Sequence, residues 1–65
     1  MREWLIKERK CALLTQADVA RMAQISQPSY NAIEQGKSSP KPETAKRIAS
    51  ALHFSWTRFY EEEDT

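Results

Sequence analysis

The sequence predicts an all-α fold, a compact five-helix bundle, and three observations carry that prediction. Glycine occurs once in 65 residues, and no segment shows the apolar–polar alternation of a half-buried strand. One helix-start signal recurs: an apolar residue, then Ser or Thr, then a second apolar residue five positions after the first. It is written as Leu14-Thr15…Val19, Ile25-Ser26…Tyr30 and Phe54-Ser55…Phe59. Each reads as a hydrophobic staple around an N-cap hydroxyl that satisfies an orphan N–H of the first turn. Finally, Ala45, Ile48, Ala49 and Leu52 fall at i, i+3, i+4 and i+7, the buried stripe of an amphipathic helix.

The elements follow in order. A first helix is expected over residues 2–11, with Trp4, Leu5, Cys11 and Ala12 along one face and Cys11 as a small core residue rather than a redox sensor. A second runs over about 16–23, opened by Thr15 with Asp18 completing a capping box. A third covers about 27–35 and is stopped by Gly36 in the left-handed conformation. Residues 37–41 form a loop, and Pro42 suits the first turn of a fourth helix, where its missing N–H costs nothing. His53 reads as a plain helix-end residue, and a fifth helix is expected to start at about Ser55. Residues 1–60 make one domain, and residues 61–65 an acidic C-terminal tail that reads as a solvated end.

Composition removes several function classes. One cysteine and one histidine exclude an intrachain disulfide and argue against a structural metal site. Without a nucleophile–base pair or a ligand set, no enzyme is expected, and no cofactor or small-molecule substrate. No apolar run reaches the roughly 20 residues of a membrane helix, and the N-terminus has no signal-peptide pattern, so a cytoplasmic protein is expected. Residues 1–60 carry ten Lys/Arg against five Asp/Glu, a net +5, while Glu61 to Asp64 return the sum to +1. A modestly basic body suits a polyanion.

Only Gln24-Ile25-Ser26 joins the second and third helices, so the two must cross steeply, as in a helix-turn-helix. Ala20 and Ala23 are small enough to allow the close approach, and Val19, Ile25, Tyr30 and Ile33 close a core between them. Gln27, Ser29, Asn31, Ala32 and Gln35 are left on the outer face of the third helix. Amides pair bidentately with adenine, Ser reads either way, and a small Ala meets a thymine methyl, so this face suits base edges in a major groove. Thr15 and Gln16 at the start of the second helix, and Lys37 and Ser38 beyond the third, are candidate phosphate contacts.

The chain resembles the lambda-repressor-like, Cro/Xre-type helix-turn-helix domains from about Leu5 to Tyr60. The resemblance is carried by Leu14-Thr15-Gln16, Val19-Ala20, Ile25-Ser26, Ile33-Glu34-Gln35-Gly36-Lys37, Pro40, Glu43-Thr44, Ala49, Leu52 and Phe54-Ser55. It implies sequence-specific binding of double-stranded operator DNA, usually by a homodimer, and regulation of nearby genes, more often repression. It places Gln27, Pro28, Ser29 and Ala32 against bases, Gln16 on a phosphate, Gln35 and Lys37 near the backbone, and pairs Arg9 with Glu34. Leu13, Gln24 and His53 stand where that family often has glycine, so each is expected to take a positive φ or to use a different turn. Glu8 stands at a position that is usually apolar, so a rotated first helix or a cationic partner is expected. Trp4, Trp56, Phe59 and Tyr60 either fill the core or face a twofold partner. A second reading is a protein-binding module, antitoxin-like or docking a regulatory protein partner, with DNA binding secondary.

Overall fold

The computed structural model describes residues 1–61 and contains five helices: α1 (Glu3–Cys11), α2 (Gln16–Met22), α3 (Gln27–Gln35), α4 (Pro42–Leu52) and α5 (Arg58–Glu61). Most of the acidic tail lies outside the described residues. The start signals work as their chemistry requires. Thr15 Oγ1 accepts from Asp18 N at 3.0 Å while Thr15 N donates to Asp18 Oδ2 at 2.9 Å, a complete capping box. Ser26 Oγ accepts from Ser29 N at 3.2 Å, and Pro28 sits in the first turn of α3.

The helix ends share a second grammar. Leu13, Gln24, Gly36 and His53 all adopt a positive φ, between 61° and 80°. Behind each, the following N–H reaches back to a carbonyl five residues earlier: Leu14 to Arg9, Ile25 to Ala20, Lys37 to Ala32 and Phe54 to Ala49. These are Schellman closures, which satisfy orphan carbonyls of the last turn. Leu14 and Ile25 therefore act twice, closing one helix and standing before the N-cap of the next, whereas Phe54 closes α4 ahead of the turns that precede α5. All three pack against the core.

That core contains Leu5, Val19, Ala20, Ala23, Tyr30, Ile33, Ala45, Ile48, Leu52 and Phe59. α2 lies at its centre, in contact with both α3 and α4, while α1 meets α3. Trp4, Phe54 and Phe59 form an aromatic triangle with ring centroids 5.2 to 5.7 Å apart, Trp4 edge-on to both phenylalanines and these tilted to each other. Glu8 is held by Arg58, whose Nη1 lies 2.7 Å from Glu8 Oε2 and whose guanidinium stacks 4.5 Å from the Trp4 ring. Among the described residues, no helix is long and apolar enough to cross a membrane.

Two expectations need correction. Cys11 is exposed rather than part of the core, as is Ala12. Six residues beyond Leu5, at 3.6 residues per turn, Cys11 lies about 120° around the helix from the buried face. The fifth helix begins at Arg58, not near Ser55, because Ser55 Oγ pairs with Thr57 Oγ1 at 2.8 Å. Backbone bonds from Arg58, Phe59 and Tyr60 to the third residue back wind residues 55–57 into tight turns first.

Leu13 is 90% exposed at a φ of 61°, so it bears left-handed strain with little burial in return. A non-glycine residue loses roughly 1–2 kcal/mol in that region, while glycine costs about 0.5–1 kcal/mol in unfolded-state entropy. Leu13→Gly is therefore expected to stabilise the fold by about 0.5–1 kcal/mol. Thermal unfolding should show a Tm higher by several degrees, on the scale of roughly 4–8 °C per kcal/mol for so short a chain.

Candidate nucleic-acid interface

The candidate site is the outer face of α3 and what holds it. Gln27, Pro28, Ser29 and Asn31 are exposed and Ala32 half-buried, while Tyr30, Ile33 and Glu34 point inward. A shallow depression lined by Gln16, Gln27, Pro28 and Asn31 joins the start of α2 to the first turns of α3. The first turn of α3 carries no acidic residue, which leaves its positive dipole end unopposed. Ser29 is tied to the cap, with Ser26 Oγ and Ser29 Oγ at 2.8 Å.

Beneath this face lies a buried ion pair. Arg9 Nε donates to Glu34 Oε2 at 2.6 Å, with side-chain exposures of 13% and 1%. Arg9 Nη1 also donates to the Leu14 carbonyl at 3.0 Å, so one side chain ties α1 and its closing turn to α3. Gln16 Nε2 adds a bond to Glu34 Oε1 at 2.9 Å. Burial alone pushes the Glu34 carboxyl upward, but hydrogen bonds from Arg9 and Gln16, the nearby Tyr30 hydroxyl and the Arg9 charge outweigh it, leaving its pKa below the ordinary value. The bond to Glu34 correspondingly raises Arg9, against the opposing effect of burial. Burial, reinforced by the neighbouring carboxylate, raises the Tyr30 hydroxyl well above its usual range. Tyr30 Oη is fully enclosed and makes no hydrogen bond of normal geometry, so its link to Glu34 is a close polar contact rather than an aligned bond.

A second clamp secures the far end of α3. Arg2 is buried; its backbone N–H donates to the Glu34 carbonyl at 2.7 Å, and its guanidinium bonds the carbonyls of Ile33 and of Ser38, the latter at 2.9 Å. Sequence reasoning missed Arg2, because a charge beside a chain end has no periodicity and reads as solvated.

The candidate phosphate contacts flank the face. Thr15, Lys37 and Ser38 are exposed and Gln35 is half-buried. Gln16 stands in the first turn of α2, as expected, and is also engaged within the protein. Its Nε2 reaches both Glu34 Oε1 and Asn31 Oδ1, the latter at 3.1 Å, which engages both amide hydrogens within the protein. A phosphate contact from this nitrogen would require Gln16 to release one of them. Of the four aromatic residues considered for a partner surface, Phe59 is only 4% exposed and fills the core, and Trp4 is half-buried beside it. Trp56 is half-buried under Lys46, and Tyr60 is 45% exposed.

With this geometry, the chain is a DNA-binding domain of the transcriptional-regulator type. It matches the helix-turn-helix family over residues 5–59 and belongs to that family, in its Cro/C1-type form. It is also 42% identical over 62 residues to YqaF of Bacillus subtilis (strain 168), an uncharacterized HTH-type transcriptional regulator. That alignment covers 95% of this chain and 82% of the relative. No solved structure matches.

Glu34→Ala is expected to cost about 3 kcal/mol, because it strands Arg9, and Glu34→Gln about 1.5–3 kcal/mol, because it removes charge assistance. The lowered Glu34 pKa gives the sign of the pH effect. The contribution is complete above the ordinary value of about 4.5 and disappears as pH falls through the lower folded value. Urea titrations from pH 7 to pH 3 should therefore show wild type and Glu34→Gln converging only at the acid end. Equal midpoints at pH 7 would refute a stabilising pair.

Proposed function

We propose that the protein is a sequence-specific transcriptional regulator, a repressor, that binds a palindromic operator as a homodimer with α3 in the major groove. The observation that carries this reading is the uncharged, amide-bearing face of α3. It is held from beneath by the Arg9–Glu34 pair inside a helix-turn-helix frame. Gln27, Pro28, Ser29, Asn31 and Ala32 meet base edges, where each good bidentate pair discriminates by about 1–3 kcal/mol. Thr15, Gln35, Lys37 and Ser38 grip phosphates and fix the register. Two copies reading half-sites about 34–36 Å apart would match one turn of duplex. The dimer surface forms around Trp56 and Tyr60, since aromatic side chains favour interface centres. Repression follows by blocking polymerase access, in the cytoplasm on the nucleoid.

The direct experiment is selection from random duplex DNA with the purified protein, followed by binding to the enriched site over a salt series. An inverted repeat bound with a steep negative salt slope supports the reading. Failure to enrich any site, with only weak salt-sensitive binding, would favour a protein partner instead.

Two variants separate the roles. Gln27→Ala is expected to lose about 1–3 kcal/mol of discrimination at one base pair with non-specific affinity nearly intact. Lys37→Ala should weaken binding to every sequence and reduce the salt slope by about one. Uniform losses in both variants would mean that α3 does not read bases.

A further inference from the structure

An amide can read DNA in two opposite senses, since its oxygen accepts and its nitrogen donates. At Asn31 the sense is set from inside the protein. Arg9 donates to Glu34 through Nε at 2.6 Å and Nη2 at 3.4 Å, so Glu34 stands as a carboxylate and offers only acceptors. Only the nitrogen end of Gln16 can face it, and Gln16 Nε2 lies 2.9 Å from Glu34 Oε1. The second hydrogen of that nitrogen is directed at Asn31, 3.1 Å from Oδ1. A donor there demands an acceptor, so Asn31 turns its oxygen toward α2 and leaves its nitrogen for the outer side. Three links run from a buried charge to an exposed residue, and each link permits one polarity.

Resting on the DNA-reading assignment above, we infer that Asn31 is a donor-type specificity residue whose polarity is imposed by Gln16 and Glu34. It recognises an acceptor on a base edge: N7 or O6 of guanine, N7 of adenine, or O4 of thymine. It does not make the bidentate adenine contact, which uses the amide oxygen to receive the exocyclic amine. Gln16 is a positioning residue in this scheme, acting on bases through Asn31. Bound duplex strengthens the arrangement by excluding the water that otherwise competes for the exposed Gln16–Asn31 bond.

The test uses the operator enriched by the full-length protein. The relevant base pair is the one at which Asn31→Ala loses discrimination. That pair is then replaced by analogues lacking one hydrogen-bonding atom at a time: 7-deazapurines or a 4-deoxygenated thymine analogue, against a purine or cytosine analogue without its exocyclic amine. Deleting the acceptor should weaken wild-type binding roughly 5- to 100-fold, and deleting the amine should leave it within about twofold. Gln16→Met keeps the side-chain length but has no hydrogens to donate, so the Asn31 amide is free to turn and sensitivity to the amine should appear. The analogue comparison on the unaltered protein decides the matter whether or not that variant folds. Equal cost for both deletions in the wild type, or an Asn31→Ala protein with unchanged base preferences, overturns the inference while leaving DNA reading intact. Failure to enrich any operator overturns both.

Discussion

The arrangement depends first on a carboxylate taken out of water. Glu34 is 1% exposed in a chain of 65 residues, and burying an isolated charge costs several kcal/mol after relaxation. The cost is offset only because three elements supply donors together: Arg9 from α1, Gln16 from α2, and the Tyr30 hydroxyl from α3 itself as a close polar contact. Bringing these donors to one point fixes how the three helices meet. Arg9 extends the constraint by holding the Leu14 carbonyl, so the turn leading into α2 is set by the same charge that positions α3. Apolar packing alone would tolerate sliding among such short helices. A paired charge does not, since moving any donor strands the carboxylate.

The second constraint is economy at the helix ends. α1 to α4 each have 7 to 11 residues, lengths at which an isolated helix is marginal in water, so tertiary contacts and end effects carry much of the stability. Leu14 and Ile25 serve one helix's closure and the next helix's entry at once, and Phe54 closes α4; this shortens the connections and packs an apolar side chain against the core at each joint. The cost is three non-glycine residues in the left-handed region. For Leu13 the exposed side chain recovers little of it. Such strain in so small a domain is tolerable only with dense supporting contacts, which the ion pair and the aromatic triangle of Trp4, Phe54 and Phe59 provide.

Helix starts were legible in the sequence because a hydroxyl N-cap and its staple are local chemistry: Thr15 and Ser26 need only their own next three residues. The buried stripe of α4 was legible for a related reason, since period 3.6 is a property of one element. Helix stops were legible only at Gly36. Leu13, Gln24 and His53 carry no intrinsic stop signal, and it took a family resemblance to mark them. Residue-level patterns failed where a rival local contact, the phase of a helix or a distant partner decides. Ser55 found Thr57 in place of a helical N–H, and Cys11 looked apolar although the buried side of α1 had passed it. Arg2 is spent on carbonyls more than thirty residues away. In the candidate site the exposed residues of α3 were readable from periodicity. The direction of the Gln16 amide was not, because it depends on a carboxylate in another helix.

The cations divide by chemistry in a way that bears on how DNA would be held. Among the described residues the ion pairs with Glu34, Asp18, Glu43 and Glu8 are made by Arg9, Arg21, Arg47 and Arg58, and Arg2 is engaged with backbone carbonyls. Lys7, Lys10, Lys37, Lys41 and Lys46 are all exposed instead. A planar, forked guanidinium is suited to fixed bidentate geometry, whereas an ammonium on a flexible stem serves as a mobile point charge. Arg2, Arg9 and Arg58 therefore build the frame, while Arg21 and Arg47 form only surface pairs within their own helices. Among the described residues, the unpaired charge open to a phosphate backbone comes mainly from lysines. Only Lys37 and Lys41 follow α3 closely in the chain. Under the proposed reading, discrimination would fall to the uncharged face of α3, where fixed amide polarity would matter more than net charge.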